Sequence, residues 1–269
     1  MSSFNPTTAS HAVLIEVANA IGAQRQDFVI IGGWVPELLY PGKGHMGSLD
    51  VDLAVSPSAK AGNVYSTILQ RLLKAGYSHA TSPTRFLKAI AGVDEPVKVD
   101  LVGAQYQDGQ LVNSVQVGEL QINTLRGVDL AFQASEEIEV SGQIPDGSRN
   151  TVRVRVVKPE AFLLIKAFAL DERVKDKDAY DIAFVLRNFQ PSLKAMAAPL
   201  RPMISSGLGK EGYRILMKKF GSLDAIGPAA AARVFQQQGE NYEQAQRAAF
   251  EDAQALFEAI GGLNKVSGG

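Results

Sequence analysis

A strand with two carboxylates on one face is the feature that most constrains how this chain can fold. Residues 49–55 read as a strand, and side chains two residues apart in a strand point to the same face. Asp50 and Asp52 can therefore converge on one point. Asp is depleted in strands, so two within one apolar run favour a functional site over a solvated strand edge. The apolar residues that alternate with them are predicted to point the other way into a core: Leu49, Val51 and Leu53.

A glycine pair, Gly32-Gly33, follows an apolar stretch at 28–31 that reads as a short buried strand. Backbone N–H groups at a glycine turn beside a helix start can bind phosphate, and carboxylates on a rigid strand can hold Mg²⁺. Together the two features predict metal-assisted phosphoryl or nucleotidyl transfer. Alone, each would indicate a tight turn or a strand edge. Trp34 is predicted to anchor a short helix in the core rather than to stack on a base.

A third carboxylate, Asp100, lies in an apolar strand at 97–102 and shares a face with Lys98. If this strand pairs beside the Asp50 and Asp52 strand, the three carboxylates meet. They could then bind metal ions, and the third could instead take the proton of the acceptor. The alternative is a surface salt bridge between Lys98 and a neighbour.

A second group of charged residues lies on the predicted helices after residue 157. Lysine and arginine suit the binding of phosphate, with the acids orienting the bases. On spacing alone, a solvated helix with ordinary charge pairs explains the group better. Its members are Lys166, Arg173, Lys177, Asp178 and Asp181.

Composition narrows the class of protein. The 269 residues carry 27 Lys and Arg against 28 Asp and Glu, so a nucleic acid would have to bind a local basic patch. There is no cysteine, which excludes disulfides and thiolate metal sites. No apolar run approaches the roughly 20 residues of a membrane span, and no signal peptide is visible, so we expect a cytoplasmic protein that does not bind membranes. The three histidines are scattered, and His45 is predicted to be a solvent-exposed loop residue rather than a substrate contact.

The hydrophobic pattern predicts two domains, 1–157 with mixed strands and helices and 158–269 with helices alone. The fold class is α+β, with a small mixed sheet and helices followed by a mostly helical C-terminal domain. The predicted helices of the first domain are 8–22, 34–40 and 59–74, and its predicted strands are 28–31, 49–55, 86–90, 97–102, 117–125, 138–140 and 152–157.

The order Gly32-Gly33, Ser48-x-Asp50-x-Asp52 and a later strand carboxylate resembles the DNA polymerase β-type nucleotidyltransferase superfamily. Within it, the order of parts is similar to the AbiEii-type nucleotidyltransferases, which include toxins of abortive-infection and type IV toxin–antitoxin systems. The helical half carries Lys166-x-x-Ala169-x-x-x-Arg173 and Lys177-Asp178-x-x-Asp181, similar to that family's signature. The resemblance changes the interpretation of the helical charges from a solvated face to a site.

The resemblance implies a nucleotidyltransferase core completed by the helical domain, with Mg²⁺ or Mn²⁺ as cofactor and a nucleoside triphosphate (NTP) as substrate. It implies an RNA end, including tRNA, or a protein hydroxyl as acceptor, and a cognate antitoxin as a further partner. The implied roles are metal binding by Asp50, Asp52 and Asp100, triphosphate binding by Gly32, Gly33, Ser48, Lys166 and Arg173, and catalytic contacts by Lys177, Asp178 and Asp181.

Two other functions compete with this one. A non-catalytic module could keep the fold as a nucleotide sensor or partner scaffold, although clustered carboxylates repel one another without a metal. A Rossmann oxidoreductase ranks last, because the glycine pair lacks the Gly-x-Gly-x-x-Gly spacing. We expect RNA as the acceptor, from the local basic stretch Arg153, Arg155, Lys158, Lys166, Arg173, Lys175 and Lys177, although nearby acids could cancel it.

Overall fold

The chain divides into two compact units, Met1–Val157 and Lys158–Gly269. The computed structural model describes residues 4–56, 64–80, 82, 84–107, 110–117, 120–205 and 207–262. The first unit holds every described strand, and the second consists of helices joined by short loops. This α+β architecture confirms the predicted fold class.

A mixed sheet forms the centre of the first unit. Its main strands follow the order β10-β11-β1-β2-β5-β4-β3, with β9 attached to β5 and β8 to β9, while β6 and β7 form a separate hairpin. The strands are β1 (Phe28–Ile31), β2 (Asp50–Val55), β3 (Ser78–His79), β4 (Arg85–Lys88), β5 (Val97–Ala104), β6 (Tyr106–Gln107), β7 (Gln110–Leu111), β8 (Ser114–Val117), β9 (Leu120–Leu125), β10 (Ser135–Gln143) and β11 (Arg149–Val157).

Two parallel pairings place strands that are distant in sequence side by side at the centre. β2 runs parallel to β5, and β1 runs parallel to β11, while β1 and β2 are antiparallel. All four residues of β1 are buried, which is typical of a strand covered on both faces. β2 is therefore an interior strand, and Asp50 and Asp52 project from a rigid part of the sheet.

The helices of the first unit are α1 (Pro6–Ile21), α2 (Val35–Leu39), α3 (Val64–Lys74) and α4 (Asp129–Gln133). α1 begins with a capping box, in which the side chain of Asn5 accepts a hydrogen bond from the N–H of Thr8 at 2.9 Å. Leu14 and Val17 of α1 face Val51 and Leu53 of β2. The apolar face of β2 is thus covered by a helix, and its polar face is the opposite one.

The second unit contains α5 (Pro159–Arg173), α6 (Asp176–Asn188), α7 (Leu193–Met203), α8 (Gly207–Phe220), α9 (Ile226–Gln237) and α10 (Tyr242–Gly262). α5 and α6 pack against each other, and α6 also packs against α9 and α10. Ten of the 15 residues of α5 and nine of the 13 residues of α6 are buried, so both helices are largely enclosed. No described helix of either unit has the length and apolar character needed to span a bilayer.

Two sequence expectations differ from the structure, and a third is described only in part. The single strand predicted at 117–125 is two antiparallel strands, β8 and β9, because an alternating run does not distinguish one long strand from two paired ones. Leu49 was predicted to face the core but is 58% exposed, since β2 begins only at Asp50. The helix predicted at 59–74 is described from Val64 onward, and its first residues lie outside the described part of the chain.

Candidate active site

The carboxylates of the first unit lie in one row across the sheet. Asp52 of β2 is the direct partner of Asp100 on β5, and Asp50 is the partner of Lys98. Directly opposed residues on paired strands share a face, as do residues two apart in one strand. The pairing that the sequence interpretation required is therefore present, and it brings the three predicted metal ligands to one face.

The opposite face of β2 explains why the acids point where they do. Val51 and Leu53 are 1% and 4% exposed and lie under α1. Turning Asp50 or Asp52 inward would bury an ionised carboxylate in an apolar layer, which costs several kcal/mol for an unpaired ion. The hydrophobic residues of β2 thus orient its carboxylates.

Gly32 lies directly against the side chain of Asp52. It follows β1 with a φ of +76°, and a Cβ placed on it would lie 2.0 Å from Oδ2 of Asp52. Both the positive φ and the lack of space exclude a side chain here. Ile31 is also the cross-strand partner of Asp52, so the end of β1 and the Asp52 carboxylate are built as one unit.

Two further residues, Gly33 and Ser48, were predicted to bind phosphate. Gly33 is buried in the 3-10 turn Gly32–Trp34, and Ser48 is half-buried in the loop that enters β2. Trp34 is buried, and its Nε1 donates to Oγ of Ser10 at 2.9 Å, which confirms the core anchor expected from the sequence. The expectation of an exposed His45 is wrong: the ring is 9% exposed, and its Nδ1 accepts a hydrogen bond from the N–H of Gly47 at 3.1 Å.

Arg85 is a site residue that the sequence interpretation missed. It is the cross-strand partner of Asp100 from the other side, on β4, and donates to it through Nε at 2.7 Å and Nη2 at 2.8 Å. The pKa of Arg85 is raised, first by these hydrogen bonds and, against a smaller opposing effect of burial, by the charges of Asp100, Asp50 and Asp52. The sequence did contain a signal for Arg85. Residues equally far from a hairpin turn face each other, so the turn between the two predicted strands indicates which residue lies opposite Asp100. The predicted strand began one residue too late, at Phe86.

The donor set of this face suits a hard divalent cation only in part. Asp50 and Asp52 offer carboxylate oxygens of the kind that Mg²⁺ binds. Both oxygens of Asp100 accept hydrogen bonds from Arg85. Within the described residues, no group of three His, Asp or Glu side chains has the arrangement of a metal site. Asp50 and Asp52 therefore suit a Mg²⁺ ion. Asp100 suits it once Arg85 has moved away.

In the second unit, the five predicted charged residues form one connected network between α5 and α6. Nζ of Lys166 lies 2.8 Å from Oδ1 of Asp178 and 2.7 Å from Oδ2 of Asp181. Arg173 donates to both oxygens of Asp178 at 2.8 and 2.9 Å, and Lys177 donates to Asp181 at 2.9 Å. Three cations and two acids thus share their contacts, with one positive charge in excess.

Burial separates the members of this network into two kinds. The side chains of Lys166, Asp178 and Asp181 are at most 6% exposed, whereas those of Lys177 and Arg173 are 35% and 51% exposed. The alternative of a solvated helix with ordinary charge pairs is therefore wrong for the three buried groups. They hold the two outer cations, which alone can reach an anion without breaking the network.

The electrostatics of the buried groups are dominated by their partners. Burial by itself would lower the pKa of Lys166, but Asp181 and Asp178 outweigh it and raise that pKa above its ordinary value. Burial would likewise raise the pKa of Asp178, and the charges of Lys166 and Arg173 lower it instead. Lys166 and Asp178 are therefore both charged at neutral pH. The ammonium of Lys166, which the resemblance assigned to triphosphate binding, is placed to orient the acids.

The basic stretch that suggested an RNA surface is largely engaged within the protein. Arg155 donates to the carbonyl of Gln26 at 2.6 Å and to Oγ of Ser135. Arg153 lies 3.9 Å from Glu139, and Lys166 is buried. For Lys158 and Lys175, an RNA-binding role rests on their position in this basic stretch.

Comparison with known proteins adds little to this geometry. No protein-family model matches the sequence, and no curated protein matches it significantly. The fold is similar to a crystal structure described as a "putative nucleotidyltransferase from H. pylori", with a TM-score of 0.34 and 15% identity over 97% of this chain and 99% of that one. A likeness at this TM-score carries no argument about the function of this chain.

Proposed function

We propose that this protein is a Mg²⁺-dependent nucleotidyltransferase that moves a nucleoside monophosphate from an NTP to a macromolecular acceptor. The observation that carries the proposal is the register of the sheet, which sets Asp52 directly beside Asp100 on parallel strands, with Asp50 on the same face. Clustered carboxylates repel one another, and a bound cation or a cationic side chain is needed to offset that repulsion. The close approach of Gly32 to Asp52 sets the predicted phosphate-binding turn against the same acids.

The reaction that suits these groups is attack of an acceptor hydroxyl on the α-phosphorus, with cleavage of the bond to the β-phosphate oxygen and release of pyrophosphate. A bound Mg²⁺ supplies charge neutralisation by bridging carboxylate and phosphate oxygens. Asp50 and Asp52 would hold it, and the glycine turn would bind phosphate oxygens through its N–H groups. Asp100, once free of Arg85, is the carboxylate that can take the proton of the attacking hydroxyl.

The second unit contributes a preorganised pair of cations to this proposal. Arg173 and Lys177 are held by buried acids and keep part of each side chain in solvent. Preorganised cations stabilise negative charge that develops in a transition state better than mobile ones do. We assign them to an anionic group of the nucleotide or of the acceptor.

The acceptor that we favour is RNA, and a protein hydroxyl is the alternative. The structure leaves fewer basic residues available to bind RNA, because several arginines of the basic stretch contact other residues of the protein. The proposal that this chain is an AbiEii-type toxin with a cognate antitoxin rests on the sequence motifs alone. RNA binding that uses a basic patch should weaken steeply between low and physiological salt.

A labelling experiment tests the function. The protein is incubated with each of the four α-labelled NTPs, Mg²⁺ and either total RNA or a nuclease-treated lysate, and labelled product and pyrophosphate are measured. We expect label in an acceptor with equal release of pyrophosphate, abolished by Asp50→Ala or Asp52→Ala. Asp94→Ala, on the exposed turn before β5, is the matched control and should keep full activity. Label on RNA or on a protein band decides the acceptor.

The second candidate is a nucleotide-binding scaffold without catalysis, and the Arg85–Asp100 pair favours it, because that pair offsets the acidic face without any metal. Thermal melting shows whether a protein that gives no product still binds an NTP. It therefore separates a nucleotide-binding scaffold from an inactive preparation. A scaffold should be stabilised by an NTP and release no pyrophosphate, since a ligand that binds only the native state raises its stability. Absence of both stabilisation and product at millimolar NTP and Mg²⁺ would contradict both candidates.

A further inference from the structure

The acidic face of the sheet already contains a cation of the protein's own. Arg85, Asp100 and Asp52 stand in one row across β4, β5 and β2, each the direct partner of the next. Both oxygens of Asp100 are taken by one guanidinium, at 2.7 and 2.8 Å. Two parallel N–H···O bonds of this kind are the strongest geometry available to an arginine and a carboxylate.

The charges of this face are nearly balanced by two bases. In the neighbouring row of this face, Asp50 of β2 lies opposite Lys98 of β5. The face therefore holds three acids and two bases, Lys98 and Arg85. The charges of Asp50 and Asp52 also act on Arg85 and raise its pKa, after the larger effect of the Asp100 hydrogen bonds. Arg85 is therefore a counter-cation for the whole group and not for Asp100 alone.

The pair is placed so that it can open. The side chain of Arg85 is 43% exposed and that of Asp100 is 19% exposed. An ion pair with this access to water contributes little to stability, and the guanidinium can be rehydrated when it leaves. A divalent cation at Asp52 would repel Arg85 and attract Asp100, so metal and guanidinium compete for the same carboxylate.

We propose that Arg85 is a positioning residue that holds Asp100 in the absence of metal and is displaced when a divalent cation binds to the Asp50, Asp52 and Asp100 face. The proposal rests on the metal site of the proposed function. In the free protein Arg85 lowers the affinity of this face for the metal, because the cation must first displace it. Asp100 becomes a metal ligand or proton acceptor only after the exchange.

Metal binding without nucleotide tests the exchange. Mn²⁺ binding to the free protein is measured by electron paramagnetic resonance and calorimetry for the native chain, Arg85→Met and Arg85→Lys. We expect Arg85→Met to bind Mn²⁺ about tenfold more tightly, the size expected for removing one nearby positive charge at a partly exposed site. Arg85→Lys keeps the charge and loses the paired geometry, so its affinity should lie between the two.

Matched variants separate this proposal from the proposed function. Arg149→Met removes an exposed arginine of β11 and should leave Mn²⁺ binding unchanged. Asp52→Asn should abolish Mn²⁺ binding in the native and Arg85→Met backgrounds. If Asp52→Asn has no effect, the metal site itself is wrong. If Mn²⁺ binding depends on Asp52 but Arg85→Met binds it no more tightly than the native chain, the exchange is overturned while the site stands.

A second measurement follows Arg85 in the native protein. The Nε–H resonance of Arg85 in the native protein is followed by NMR during a Mg²⁺ titration and is identified by its loss in Arg85→Lys. An Nε–H bonded to a carboxylate exchanges slowly with water, so we expect the signal to shift and broaden as Mg²⁺ saturates the face. A resonance that stays unchanged at saturating Mg²⁺ would show that Arg85 keeps Asp100, and it would overturn the proposal.

Discussion

The ammonium of Lys166 lies 2.7 Å from a carboxylate oxygen of Asp181, a side chain that is fully buried between α5 and α6. The pair does not stand alone, since Asp178 contacts the same ammonium at 2.8 Å. A buried charge is tolerated only when it is paired, and here each acid also contacts a cation nearer to the surface. The network thus links the interior of the second unit to its two outer cations.

Replacement of Lys166 should destabilise the protein strongly. Lys166→Met leaves two buried carboxylates without their shared cation, and breaking a buried ion pair from one side typically costs about 3–5 kcal/mol. The free energy of unfolding is measured by urea denaturation at pH 7. Lys175→Met, which changes an exposed lysine just before α6, is the control and should change it by less than about 0.5 kcal/mol. A loss for Lys166→Met as small as that of the control would show that the interior pair is not formed.

Lys177→Ala should reduce nucleotidyl transfer more than Lys175→Ala does. Asp181 holds the ammonium of Lys177 at 2.9 Å, whereas Lys175 is exposed at the start of α6. Under the proposed assignment of Lys177 to an anionic group of the nucleotide or acceptor, its removal lowers kcat by roughly tenfold to a thousandfold. Steady-state kinetics of both variants provide the measurement. Equal activities would mean that the charges of this helix act only as a diffuse basic surface.

Arg187 is unsuitable as a second control for that comparison. Its guanidinium carbon lies 4.0 Å above the ring centre of Phe235, and it donates to Glu240 at 2.9 Å. Truncation would remove packing as well as charge. An effect of Arg187→Ala on activity would therefore report on the α6–α9 contact.

Gly32→Ala should abolish transfer, whereas Gly42→Ala should not. The two glycines have nearly equal φ values of +76° and +72°, so alanine suffers similar backbone strain at both. Only at Gly32 would the new Cβ meet the Asp52 carboxylate, while nothing lies within 4 Å of a Cβ at Gly42. We expect both variants to lose about 1 kcal/mol from strain and Gly32→Ala to lose about 1–3 kcal/mol more from overpacking.

Melting curves and the transfer assay test this pair together. Gly42→Ala controls for the conformation, so any excess effect of Gly32→Ala comes from the displaced Asp52. Full activity in Gly32→Ala would show that the close approach of β1 to Asp52 does not matter for the site.

The pH dependence of stability should differ in sign between Asp178 and Asp252. The pKa of Asp178 is lowered by Lys166 and Arg173 against the effect of burial, so its contribution is present above the ordinary value of 3.8 and is lost as the pH falls through the lowered pKa. The pKa of Asp252 is raised, mainly by burial, so its charged form weakens the fold at neutral pH.

Urea denaturation between pH 7 and about pH 3 tests both signs. Asp178→Asn should be less stable than the native protein at pH 7, and the difference should shrink below the ordinary Asp pKa. Asp252→Asn should be more stable at pH 7, and its advantage should disappear as the pH falls through the raised pKa. Two variants with the same sign at pH 7 would contradict the assigned environments.

The residues of the candidate site other than Arg85 could be found in the sequence because each pair obeys a local rule. Asp50 and Asp52 share a face through the two-residue period of a strand, and Lys177 and Asp181 meet through the four-residue spacing of a helix. The motif order extended that local reading to Gly32 and Asp100. The fold class followed from the same periodicities, which change from mixed to helical near residue 157.

The sequence by itself determined which face of each element carries charge, because side-chain direction depends only on the periodicity of a strand or helix. Only the tertiary structure decided which charges are partners. The partnership of Arg85 with Asp100 depends on the register of β4 against β5, and the burial of Lys166 depends on how closely α5 packs on α6. Register and packing distance arise from contacts between separate elements, and no local period encodes them. The same charges could therefore have been a solvated surface, an internal ion pair or a metal site until the elements were placed together.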